Sequence, residues 1–143
     1  MVICGIFLFN PDNKIIIMHP TNQPQNDWTI PQGLPDGNEP NLHAILRKFN
    51  EETSINLLDV LRERPIEIIG KFMHPNKTKI LLAYKLKIMK DIDINEFHCN
   101  SMVPSHVYGK EVPEFDEFRW VSISEAMELI HPSQKEALLS INT

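Results

Sequence analysis

Cysteine, basic charge and long apolar runs are all scarce in this chain. Its 143 residues include two cysteines, Cys4 and Cys99. That excludes a disulfide framework, and neither has a cysteine partner at zinc-ligand spacing. Lysine and arginine total 14 against 19 aspartate and glutamate, a formal net charge of −5. Sequence-independent binding of nucleic acid rests on neutralising many phosphates with Lys and Arg. The charge balance argues against that class, but not against a small phosphate ligand held through metal ions. The apolar run Val2–Phe9 is too short to span a bilayer and lacks a basic leader, so it reads as a strand and not as an anchor or signal peptide. Repeats, low-complexity tracts and linkers are also missing. What is present is an ordinary globular composition, 42% hydrophobic and 23% charged, of a size for a single domain over residues 1–143. A reducing, cytoplasmic setting with no membrane partner is expected.

Val2–Phe9 and residues 14–18, broken by Asn10-Pro11-Asp12-Asn13, predict a β-hairpin. A polar stretch and a short run at residues 28–30 follow. Pro31-Gln32-Gly33-Leu34-Pro35-Asp36-Gly37-Asn38 reads as a tight loop without regular structure. It feeds a helix from about Pro40 to Thr53, proline sitting in the first turn. Leu42, Ile45, Leu46 and Phe49 recur at helical spacing and predict one buried stripe. Residues 66–73 and 80–88 read as strands around a turn. Residues 91–116 read as a long irregular stretch, and loops of that length are often functional. A strand at 118–121, a helix capped by Ser122 through Ile130, and a last short helix from Gln134 complete an α/β (α+β) chain with a mixed order of elements. Met18, Met73, Met89 and Met127 read as core fillers.

The chemistry-bearing segment is Gly33 to Ile55: Gly33-x5-Glu39-x7-Arg47-Lys48-Phe49-x-Glu51-Glu52-x-Ser54-Ile55. With Leu42 at zero on a helical wheel, Glu51 falls at about 180°, Lys48 at about 240° and Glu52 at about 280°. Two adjacent carboxylates therefore flank the apolar stripe at the last turn, where they oppose the helix dipole. A divalent cation relieves that conflict, and hard oxygen ligands suit Mg²⁺ or Mn²⁺. The bland alternative is a solvated acidic helix end, with Lys48 paired to Glu51 and Glu52.

The segment resembles the Nudix box, G-x5-E-x7-R-E-U-x-E-E-x-G-U with U bulky and apolar. Gly33, Glu39, Arg47, Phe49, Glu51, Glu52 and Ile55 match in register. The lead-in Trp28-Thr29-Ile30-Pro31-Gln32-Gly33 and the downstream Pro113-Glu114-Phe115-Asp116-Glu117-Phe118-Arg119-Trp120-Val121 resemble motifs of the branch containing RNA 5′-pyrophosphohydrolases and dinucleoside polyphosphate hydrolases. The resemblance implies an α/β/α sandwich with a mixed sheet. It also implies Glu51, Glu52, the Gly33 carbonyl and Glu114 as metal ligands. Glu39 and Arg47 become a supporting ion pair. A polyphosphate needs its charge neutralised while water attacks phosphorus, and divalent cations do both.

Two positions depart from the pattern. Lys48 replaces the first helix glutamate, in the family a metal ligand and often the general base. Ser54 replaces the glycine that ends the helix, at a cost of about 1 kcal/mol. Two functions follow. One is an active pyrophosphohydrolase cleaving a phosphoanhydride in a nucleoside diphosphate linked to another group, with an RNA 5′ end or a dinucleoside polyphosphate the leading substrate. The other is an impaired domain that binds a nucleotide or a protein, because Lys48 removes a box carboxylate. Trp28, Lys48 and Tyr108 are the candidate substrate contacts, core packing being the competing role of Trp28.

Overall fold

The computed structural model describes residues 1–61 and 64–141. Its elements are β1 (Val2–Phe9), β2 (Ile15–Pro20), β3 (Gln32–Gly33), α1 (Asn41–Thr53), α2 (Leu58–Leu61), β4 (Glu67–Met73), β5 (Ile80–Lys87), a 3₁₀ turn (Ile94–Glu96), β6 (Met102–Ser105), β7 (Lys110–Pro113), β8 (Phe115–Val121), α3 (Ile123–Leu129) and α4 (Pro132–Ile141). The main sheet runs β4-β5-β1-β2-β8, with β3 also paired to β1. β1 lies parallel to β5 from Val2↔Ile80 to Phe9↔Lys87, and the other pairings are antiparallel. The sheet is therefore mixed, as expected.

β1 is apolar almost throughout because both of its faces are covered. Side chains alternate across a strand. Cys4, Ile6 and Leu8 pack with Ile45 and Phe49 of α1, while Phe7 and Phe9 pack with Ala126, Ala137 and Leu138 of α3 and α4. Two cores on opposite faces of one sheet make the α/β/α sandwich. The β1–β2 turn is held by Asn10, whose Oδ1 accepts from the Asp12 and Lys14 amides at 3.0 and 2.9 Å. Asn13 takes positive φ there, 63°.

Several expectations need correction. The proline-rich segment after Trp28 is not wholly irregular: Gln32 and Gly33 pair with Gly5 and Cys4. The supposed irregular stretch at 91–116 contains the 3₁₀ turn and a small β6–β7 hairpin. Its strands are four residues each and carry Pro104 and Pro113, which masks their pattern. Met73 and Met89 are exposed, whereas Met18 is buried. Pro40 caps α1 from outside its first turn, and the last helix, α4, opens at Pro132 and not at Gln134. Within α1 the buried residues are Ala44, Ile45, Phe49, Glu52 and Thr53, so Leu42 and Leu46 are only half-buried. The buried face is rotated by about 50° from the apolar stripe, and that rotation brings Glu52 inside.

Candidate active site

Arg47, near the middle of α1, organises the loop before the helix. Its Nε donates to Glu39 Oε2 and its Nη2 to Glu39 Oε1, both at 2.9 Å. Nη2 also donates to the Leu34 carbonyl at 3.1 Å and Nη1 to Glu51 Oε1 at 3.2 Å. Glu39 Oε1 in turn accepts the Asp36 amide at 3.0 Å. Two parallel bonds to a planar guanidinium fix geometry as well as charge. The Arg47 bonds, helped by the Asp36 amide, hold the Glu39 carboxyl down at about 2. The bonds to Glu39 and Glu51 and the nearby Asp36 charge raise the Arg47 pKa.

One turn on, Glu52 is 2% exposed. Its Oε1 has no hydrogen-bond partner among the described residues. Burial pushes its carboxyl up to about 8; Lys48 pulls it down, and the charges of Glu114 and Glu51 add to the rise. The Gln32 main chain also lowers it by a hydrogen bond, but a buried carboxylate oxygen without a partner is costly unless something positive joins it. Glu52 lines a cleft with Glu114, Gly33, Gln32, Asp36, Arg47 and Lys48. Glu114 reaches this cleft from the β7–β8 junction, where its amide donates to the Ser101 carbonyl and its own carbonyl accepts the Thr21 amide. Glu51 faces outward, 3.2 Å from Arg47 Nη1 and 3.6 Å from Lys48 Nζ.

Gly33 is glycine here for space. A Cβ on it would lie 2.8 and 2.9 Å from Lys48 Cε and Cδ, and closer still to Cγ. Lys48 therefore lies flat along the β3 main chain. Past Gln32 and Glu114 the cleft adjoins a cavity of about 560 Å³, lined also by Trp28, Phe115, Glu128, His131 and Lys135. Gln134, buried at 2% exposure, braces the floor. Its Oε1 accepts the Ile30 amide, and its Nε2 donates to Thr29 Oγ1 and Gln32 Oε1.

A family model for the NUDIX domain matches residues 1–140. The chain belongs to the NUDIX family. Among curated relatives, the RNA pyrophosphohydrolase of Pelagibacter ubique is 26% identical over 88% of this chain and 78% of its own length. That of Gluconobacter oxydans is 30% identical over 82% of this chain and 68% of its own length. The solved E. coli dihydroneopterin triphosphate pyrophosphohydrolase superposes with a TM-score of 0.70 at 15% identity, covering 99% of this chain and 96% of that one. Family and relatives together make this NUDIX protein a hydrolase of phosphoanhydride bonds.

Of the residues singled out from sequence, this NUDIX fold gathers Gly33, Glu52, Glu114, Lys48 and Arg47 in one cleft. Glu39 stands behind it on Arg47. Glu51 is drawn aside by Arg47 and Lys48, and among the described residues no three His, Cys, Asp or Glu side chains already stand as a metal-binding group. Trp28 is 5% exposed and packs in the core. It edges the cavity, donates Nε1–H to the Gln25 carbonyl at 2.9 Å, and carries the Arg119 guanidinium 4.5 Å from its ring centre. Tyr108 is not brought to the site; it sits exposed in the turn between β6 and β7. Sequence reasoning passed over Gln32, Asp36, His131, Gln134 and Lys135. Gln32 was visible in the lead-in motif; Gln134 had no signal beyond being polar in a helix.

Proposed function

We propose that this protein is a divalent-metal-dependent pyrophosphohydrolase acting on an RNA 5′ end or a dinucleoside polyphosphate. Glu52, Glu114 and the Gly33 carbonyl would hold the metal, joined by Glu51 once it turns from Arg47. The observation that carries this reading is Glu52 itself, a buried carboxylate with an orphaned oxygen in a cleft that Glu114 also lines. Oxygen donors of this kind suit Mg²⁺ or Mn²⁺. When bound, the metal supplies neutralisation of the phosphate charge and a water acidic enough to attack phosphorus.

The protein's own contribution is positional. Arg47 fixes the Gly33–Glu39 loop against α1 through Glu39, so the Gly33 carbonyl and Glu52 keep a constant relation. Lys48 presents its ammonium to the phosphates from beside Gly33. The adjoining cavity, with Trp28 at its edge and His131 and Lys135 in its wall, takes the nucleoside portion. With Lys48 in place of a glutamate, Glu52 or Glu114 is left to accept the proton of the attacking water. The curated relatives named RNA pyrophosphohydrolase support the RNA end as substrate. Both cysteines are free and buried, which accords with a reducing cytoplasmic setting. No described helix is long and apolar enough to cross a membrane.

The test is turnover of 5′-triphosphorylated RNA, capped RNA ends, dinucleoside polyphosphates and simple nucleotides, each with Mg²⁺, with Mn²⁺ and with chelator, at several pH values. Metal-dependent release of pyrophosphate or nucleotide is expected from wild type and not from Glu52→Gln. Turnover unchanged in Glu52→Gln would remove the metal assignment.

A further inference from the structure

Lys48 lies three residues before Glu51 and would ordinarily be read as half of a solvated helix pair, worth little. Three observations set it apart. Its side chain is 23% exposed, so it is not swung into water. Its stem lies where Gly33 would carry a Cβ, so the glycine and the lysine occupy one site between them. And the cleft it lines holds a buried carboxylate oxygen on Glu52 with nothing bonded to it among the described residues, and Glu114 in the same lining.

We propose that Lys48 is a resident cation of the active-site cleft, occupying the place of one divalent ion and giving the metal-free protein an intrinsic affinity for pyrophosphate groups. The inference rests on the metal-dependent reading above and adds to it. A glutamate at this position would bring a negative charge to the cleft; lysine brings a positive one. The change of two charge units weakens the hold on divalent ions and strengthens the hold on phosphate oxygens. A lysine ammonium is a compact point charge with three donors. The Lys48 stem lies against Gly33 and its ammonium, 3.6 Å from Glu51 Oε2, borders the cleft that Glu52 and Glu114 also line. The cleft is consequently part-neutralised before any ion arrives.

The experiment measures binding, separately from turnover. Mn²⁺ is titrated into wild type, Lys48→Glu, Lys48→Met and Glu52→Gln, and free Mn²⁺ is counted by electron paramagnetic resonance. Inorganic pyrophosphate is titrated calorimetrically into the same proteins in chelator. Lys48→Met keeps an unbranched stem over Gly33, so it reports on charge if Lys48→Glu folds poorly, and thermal melts check both. Lys48→Glu is expected to bind one more Mn²⁺ per chain than wild type, and to bind its first at least tenfold more tightly. Lys48→Met is expected to lose at least tenfold in metal-free pyrophosphate affinity. Unchanged Mn²⁺ stoichiometry and affinity in Lys48→Glu, or unchanged pyrophosphate affinity in Lys48→Met, overturns the resident-cation role. Failure of Glu52→Gln to weaken Mn²⁺ binding instead overturns the metal-site reading beneath it.

Discussion

Arg47 holds Glu39 by both prongs of its guanidinium, eight residues back along the chain and across the entrance of α1, each bond 2.9 Å long. A lysine cannot form two parallel bonds to one carboxylate. Arg47→Lys is therefore expected to free the Leu34–Glu39 loop, to raise the Glu39 pKa from about 2 toward its ordinary 4.5, and to lower turnover at least tenfold, about 1.4 kcal/mol in barrier. Hydrogen exchange at the Asp36 amide and a carboxylate NMR titration would read the first two. A Glu39 pKa that stays low in Arg47→Lys would mean that the Asp36 amide alone sets it.

Gly33→Ala tests the packing beside that loop. The new methyl would collide with the Lys48 stem, from Cγ through Cε. Over-packing of this sort costs about 1–3 kcal/mol. Adding Lys48→Ala should recover most of the loss, so the two substitutions are strongly non-additive in thermal or denaturant melts. Additive losses would show that the glycine is needed for some other reason.

Glu52 gives the metal-free protein an unusual pH dependence. Its folded pKa of about 8 lies above the ordinary 4.5, so the folded state binds the extra proton between these values. Stability from this group is fully present below about pH 4.5 and falls as pH rises toward 8, by at most about 5 kcal/mol. Melts in chelator should show that slope, and Glu52→Gln should flatten it. Mg²⁺ should flatten it as well, because a cation then sits beside the unpartnered Oε1. A slope that persists in Glu52→Gln would place its origin elsewhere.

His19 contributes a second, separable dependence. Buried at the end of β2, its ring would lose its charge to desolvation. Its bonds to Asp116 Oδ1 at 2.6 Å and the Pro24 carbonyl at 2.9 Å outweigh that burial and raise its pKa above 6.5. Both ring nitrogens then act as donors. The stability it adds is complete below about pH 6.5 and is lost as pH rises through the folded value. Histidine NMR titration should find a high pKa in wild type and a lower one in Asp116→Asn. No difference between the two would dismiss the pairing.

Ser54 has a structural reason to replace the helix-ending glycine. It ends α1 in the left-handed region, φ 66°, where glycine costs less. Its hydroxyl, however, donates to the His98 carbonyl at 2.5 Å and accepts Asn100 Nδ2–H at 2.7 Å. Ser54→Gly should therefore lie within about 1 kcal/mol of wild type, strain relieved and bonds lost offsetting each other. Ser54→Ala keeps the strain without the bonds and should melt lower than both.

How much was legible follows from where the local pattern and the tertiary packing agree. β1, β2, β5 and α1 carry apolar periodicity strong enough to read directly, and the box residues stand at offsets that point to one cleft. The inward position of Glu52 was only half legible: at about 280° on the wheel it borders the stripe of Leu42, Ile45, Leu46 and Phe49, and that stripe's centre lies to one side of it. The helix instead turns so that Ile45, Phe49 and Glu52 share the buried face. β3 is two residues long, and its strand character exists only through β1. The β6–β7 hairpin packs too little apolar surface to announce itself, with Met102, Val107 and Tyr108 all exposed.

The parallel pairing of β1 with β5 also governs how this protein can be made. Val2 finds its partner only at Ile80. Synthesis runs at about 5–20 residues per second, so roughly 80 residues take about 4–16 s to follow. Throughout that interval the apolar strand Val2–Phe9 has no permanent neighbour on that edge. Glu114 emerges later again, so the cleft cannot be completed before residue 114 has been made. Until β5 follows, β1 is an unpaired apolar edge, and substitutions that make β1 more apolar should show their harm in yield before they show it in the melting point of the finished protein.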